Sequence, residues 1–119
     1  MRPEKMRVQL VLEELADEVN RLYPLVAPRN AHAADHLRRS VQSGLWNCAE
    51  AIAAWNPNIK VHVYEISRRE TNEVRAILRF LVRQGVLTWA QVRRAYNLAG
   101  CAIMMLIKAS RSVENGKGR

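Results

Sequence analysis

The residues able to do chemistry are few. His32 and His36 stand four apart, a spacing that puts two imidazoles on one helix face, as a metal would need. No third ligand stands nearby. Glu70 and Glu73 form a carboxylate pair of the kind used in acid–base work. Arg69 and Arg75 flank them, so ion pairing is the simpler use. The two cysteines, Cys48 and Cys101, are not in a CxxC spacing and lie on apolar ridges, which makes them reduced packing residues. The chain has no glycine-rich phosphate loop and no Glu-x-x-His repeat of the di-iron type. The expectation is a protein without an enzyme active site, metal or cofactor.

The arginines are more informative. Formal net charge is +8. Residues 1–27 carry four basic and five acidic side chains, and the rest carries fifteen and six. Most of the basic residues are arginine, which grips phosphate in a bidentate fork better than lysine does. Arg68, Arg75, Arg79 and Arg83 fall at helical spacing with Arg69 beside them, and Arg38-Arg39 and Arg93-Arg94 add two doublets. Such ridges would track a phosphate backbone, RNA or DNA, without reading its sequence.

These side chains need helices to present them. Apolar residues recur at steps of three and four in four segments. The first, about residues 3–23, carries Val8, Leu12, Leu15, Val19 and Leu22, and Pro24 should stop or kink it. The second, about 31–55, carries Leu37, Val41, Gly44/Leu45, Cys48, Ile52 and Trp55 after an Asn30 cap. The third, about 59–84, carries Val63, Ile66, Val74, Ile77/Leu78 and Leu81, with Glu70 in register. Val61, Val63, Tyr64 and Ile66 also suit a strand, but no partner strand is near. The fourth, about 89–112, opens on a Thr88/Gln91 capping box and carries Trp89, Val92, Tyr96, Ala99, Ile103, Leu106, Ser110 and Val113. Gly85 supplies a left-handed stop between the last two. The fold expected over residues 1–114 is a single all-α, antiparallel up-and-down four-helix bundle, with residues 115–119 a disordered tail.

Leu98, Cys101 and Met105 form a second apolar ridge on the fourth helix, and Trp46 lies off the stripe of the second, near Arg39. A helix apolar on two sides is buried on two sides, so these four residues are the expected interface of a homo-oligomer. The longest apolar run, Leu98 to Ile107, is ten residues, about half a membrane crossing. Glu13 and Glu14 break the N-terminal segment before it resembles a signal peptide. A cytoplasmic protein with no membrane association is therefore expected.

Residues 34–51, ADHLRRSVQSGLWNCAEA, resemble a bacterial four-helix-bundle family. Its founding members are encoded in intervening sequences of large-subunit ribosomal RNA genes, and it includes the accessory variability protein of diversity-generating retroelements. Arg38, Arg39, Ser43, Asn47, Ala49 and Glu50 match its pattern Q-x-R-R-A-x-x-S-I-x-x-N-I-A-E-G. Tyr64, Ile66, Arg68 and Glu73 match a second block, Y-x-I-A-R-G-S-x-x-E. Ser40, Ala51 and Arg69-Glu70 depart from the pattern. The resemblance implies a four-helix bundle, commonly a ring of five, without known catalysis. In the retroelement members it implies binding to nucleic acid and to a reverse transcriptase. The residues themselves leave two uses for Ser43, Asn47, Glu50, Tyr64 and Glu73, a structural polar cluster or a functional surface, and leave open a scaffold that binds only protein.

Overall fold

The structure, a computed structural model, describes residues 3–116, with side chains from residue 7 onward. It consists of four α-helices, α1 (Pro3–Val26), α2 (Ala31–Ala53), α3 (Pro57–Arg83) and α4 (Trp89–Gly116). Among the described residues, α1 and α3 each pack on both α2 and α4, while the two diagonals stay apart. Neighbouring helices meet in opposite order: His36 meets Glu73 and Gly44 meets Ser67, while Arg94 meets Glu14 and Arg21 meets Gln91. The bundle is thus antiparallel and up-and-down, measuring 51 × 22 × 20 Å.

Local signals start and stop the helices. Asn30 Oδ1 accepts the Ala33 N–H at 3.0 Å. Thr88 and Gln91 bond reciprocally, Thr88 N–H to Gln91 Oε1 at 2.9 Å and Gln91 N–H to Thr88 Oγ1 at 3.2 Å. Each such cap contributes about 1 kcal/mol. Gly85, at φ +79°, ends α3: its N–H donates to Val82 O, and the Val86 N–H donates to Leu81 O. That pair of bonds is a Schellman closure, which needs a left-handed residue.

Several boundaries and faces differ from the sequence expectation. α1 continues through Pro24 to Val26. The missing proline N–H removes a single bond in the last turn, and the complete burial of Leu22 and Val26 holds that turn in place. α3 starts at Pro57, not Ile59. Asn56 caps it by accepting from Asn58 and Ile59, and proline suits the first helical position. α2 ends at Ala53, where Lys60 Nζ donates to the Ala51 and Ile52 carbonyls. Trp55 is therefore outside the helix and 89% exposed, not part of the core stripe. α4 reaches Gly116, two residues into the expected tail, and residues 117–119 lie outside the described ones.

The inward face of α3 is Val63, Tyr64, Ser67, Thr71, Val74, Leu78 and Leu81, with Glu70 only half-buried. Sequence hydropathy misplaced this stripe because two polar residues fill its middle. Both are satisfied: Ser67 Oγ donates to Gly44 O at 2.7 Å and Thr71 Oγ1 donates to Ser67 O at 2.7 Å. On α4 the buried line is Val92, Ala95, Ala99, Ala102 and Leu106. Trp89 is 46% exposed and Tyr96 and Ile103 are half-buried, because small alanines let α4 sit close and turn the larger residues to the edge.

A Cβ on Gly44 would stand 3.0 Å from Thr71 Oγ1, at the limit of contact. Gly44→Val should therefore destabilise the bundle by about 2 kcal/mol through overpacking. Adding Thr71→Ala should recover part of the loss in urea unfolding. Strict additivity of the two changes would show that the helices do not meet there. Gly85→Ala should cost about 1 kcal/mol, since a Cβ is disfavoured at left-handed φ.

Candidate nucleic-acid interface

The nine arginines singled out by spacing separate into distinct environments. Arg38 lies over the Tyr23 ring, 3.5 Å from its centroid, and the Tyr23 hydroxyl donates to Asp35 at 2.6 Å. That bond, ahead of burial and the Asp35 charge, raises the Tyr23 pKa. Arg39 is exposed, with Nε 3.5 Å from the Asp35 carbonyl. Arg68 pairs with Glu65, and this hydrogen bond, followed by the Arg68 and Arg69 charges, outweighs partial desolvation and lowers the Glu65 pKa. Arg94 reaches across to α1, 3.5 Å from Glu14 and 3.7 Å from Glu18.

Arg75 does not join an exposed α3 ridge. Its guanidinium lies 4.0 Å from the centroid of the Tyr96 ring and covers the bare backbone of Gly100, with Cζ 3.4 Å from where a Cβ would stand. Its Nε is buried without a hydrogen-bond partner among the described residues. Arg79, Arg83 and Arg93 are exposed and make no ion pair or hydrogen bond among the described residues. α3 and α4 are antiparallel, so each turn beyond Arg75 on α3 faces a turn before Tyr96 on α4. Arg79 therefore comes level with Arg93, and Arg83 with Trp89.

A signal in the sequence marks this region and is invisible to arginine spacing alone. From Val74 to Val113 there is no Asp or Glu, while Arg75, Arg79, Arg83, Arg93, Arg94, Lys108 and Arg111 all fall within it. The acids concentrate on α1, where Glu13, Glu14 and Asp17 are exposed or partly so. One flank of the bundle is acidic and the α3–α4 flank basic.

The residues matching the family pattern are not brought into one cluster. Asn47 Nδ2 donates back to Ser43 O at 2.8 Å and to its hydroxyl at 3.2 Å, within α2. Glu50 is exposed. Tyr64 is wholly buried, its hydroxyl has no partner among the described residues, and burial pushes its pKa to about 12. Glu73 meets neither Arg38 nor Arg39. It takes the Ser40 hydroxyl at 3.3 Å and lies 3.7 Å from His36 Nε2. His32 and His36 have ring centroids 6.4 Å apart, and no cluster of three or more His, Cys, Asp or Glu among the described residues is placed to hold a metal.

Of the ridge expected as an interface, Leu98 and Met105 are half-buried and pack against the core, while Cys101 is exposed, with Met104 on the same helix at 67% exposure. Cys101 Sγ and Met105 Sδ are 3.8 Å apart. Trp46, 63% exposed, projects from α2, the helix diagonal to α4. No helix among the described residues is long and apolar enough to cross a membrane.

The fold and surface together define a small basic α-helical bundle. It is similar to a solved structure from Bacteroides thetaiotaomicron VPI-5482, a protein of unknown function from the S23 ribosomal protein family. The match has 22% identity, covers 91% of this chain and 98% of the other, and has a TM-score of 0.84. Neither a family model nor a curated protein sequence matches the chain.

The two thiols should react differently. Cys101 is exposed, whereas Cys48 is buried with its pKa pushed up to about 12 by desolvation. Since the thiolate is the reactive form, a chromogenic disulfide reagent at neutral pH should reach Cys48 only on unfolding, whereas Cys101 is open to it in the single subunit. Two fast thiols would contradict the packing of α2 against α3.

Proposed function

We propose that this chain is a non-enzymatic nucleic-acid-binding bundle that acts as a homo-oligomer. The observation carrying this reading is the acid-free stretch from Val74 to Val113 on α3 and α4, where Arg79, Arg83 and Arg93 stand exposed and without ion pairs among the described residues. An unneutralised arginine surface releases condensed counterions when it meets phosphates, a large driving force that does not depend on base sequence. The resemblance at residues 34–51 and 63–73 agrees with such an accessory role, including a partnership with a reverse transcriptase.

Self-association is supported by exposed apolar side chains on diagonal helices, Trp46 on α2 and Met104 with Cys101 on α4. Different patches meeting between copies make a head-to-tail contact, which closes into a ring when the rotation allows. The ring of five implied by the resemblance is one such closure.

Gel shifts with structured RNA and duplex DNA should show affinity falling about tenfold or more between about 50 and about 200 mM salt. Joint replacement of Arg79, Arg83 and Arg93 by alanine should weaken binding and flatten the salt slope by roughly one unit for each phosphate no longer engaged. Arg94→Ala, removing a cation already held by Glu14 and Glu18, should change little. Salt-insensitive binding, or none, would favour a scaffold that binds only protein. Light scattering at micromolar concentration should give a mass above the 13.6 kDa of one chain, and Met104→Glu should lower it. A wild-type monomer would overturn the assembly.

A further inference from the structure

We infer that the α3–α4 seam around Trp89 is a stacking site for unpaired bases, which makes single-stranded nucleic acid the preferred ligand. This rests on the nucleic-acid reading above and adds the place and the strand class. Trp89 is 46% exposed at the start of α4, yet its ring is not loose. It meets Tyr96 edge-on, centroids 5.3 Å apart at 83°. Tyr96 in turn lies under the Arg75 guanidinium at 4.0 Å, and Arg75 rests on Gly100, where the absent side chain leaves room. The succession from Gly100 through Arg75 and Tyr96 to Trp89 fixes an indole whose remaining surface faces solvent. A ring held in advance loses little freedom on binding.

The cations around it complete the site. Helix register brings Arg83 level with Trp89 and Arg79 level with Arg93, and none of the three arginines is engaged by an acid among the described residues. An aromatic face beside free guanidinium groups suits a strand whose bases are splayed while its phosphates remain accessible. In a duplex the base faces are already stacked on one another, so Trp89 has nothing to receive there. The other exposed tryptophans lack this setting. Trp46 shares its ridge with Glu50, and Trp55 is at the opposite end of the bundle, beyond α2.

The test uses the full chain carrying Trp46→Phe and Trp55→Phe, which leaves Trp89 as its sole tryptophan. Oligothymidylate or oligouridylate of about 15 nucleotides should quench its fluorescence saturably, and a duplex of equal length should quench it far less. In the native background, Trp89→Leu should lower single-strand affinity about tenfold while leaving duplex affinity within about twofold, and Trp89→Phe should retain most of the binding. A circular dichroism melt verifies that the leucine variant is folded, and the quenching experiment does not depend on it. If single strands bind without quenching Trp89, or the leucine variant binds both polymers as the native chain does, the stacking site is refuted while arginine-driven binding stands. If neither polymer binds at low salt, both readings fall.

Discussion

Gly44 has no side chain, and its carbonyl accepts the buried Ser67 hydroxyl at 2.7 Å. The rest of the bundle depends on that close approach. It lets Ser67 and Thr71, polar residues in the middle of a core face, be wholly buried. A hydroxyl buried without a partner costs about 1–3 kcal/mol, so these positions are tolerable only where a backbone carbonyl is within reach. Two carbonyls are: Gly44 O for Ser67, and Ser67 O for Thr71. The seam also sets the register of α2 against α3, and from it follow the meeting of Ser40 with Glu73 and the grip of Lys60 on the end of α2.

Packing on the opposite side of α3 uses the same device with a different result. Ala95, Ala99 and Ala102 bring α4 close, and Gly100 opens a flat strip at its edge. Arg75 fills that strip, becoming part of the scaffold and stacking on Tyr96. One arginine is thereby removed from the phosphate-facing set, and in exchange the aromatic edge of α4 is held rigidly. The bundle end near Trp89 is tied further by Arg29, which donates to the Gly85 carbonyl at 3.0 Å, and by Asn30, which donates to Gln84 at 3.1 Å. Both bonds join the α1–α2 connection to the α3–α4 connection. The arginines and indole at this end therefore sit on a stiff platform.

Charge segregation follows from which helices are neighbours. α1 carries five of the eleven acids of the chain, and its neighbour α4 contributes Arg94 to them. α3 is diagonal to α1, so Arg79 and Arg83 have no such acids to meet. The Arg94 pairs with Glu14 and Glu18 are exposed or partly so and add little stability. Their consequence is spatial: they neutralise one edge of α4 and leave its other edge positive.

Much of the architecture was legible in local sequence. The Thr88/Gln91 box, the Asn30 cap and the Gly85 stop act within about four residues, so their chemistry is complete in the chain itself. The apolar steps of α1 required no partner to interpret. The interface was legible only as an excess of arginine. Spacing put Arg75 in the same class as Arg79, and hydropathy put Trp89 in the core. Periodicity assigns a face to a helix only to within about a residue's width, and it reads an inward serine as an outward one. Whether Ser67 is buried depends on Gly44, twenty-three residues away, and whether Arg94 is spent depends on Glu14, eighty residues away. The chain by itself determined four helices and a positive charge. Tertiary packing decided which polar groups are inside and which cations are left unpaired, because both depend on what the neighbouring helix presents at the point where they meet.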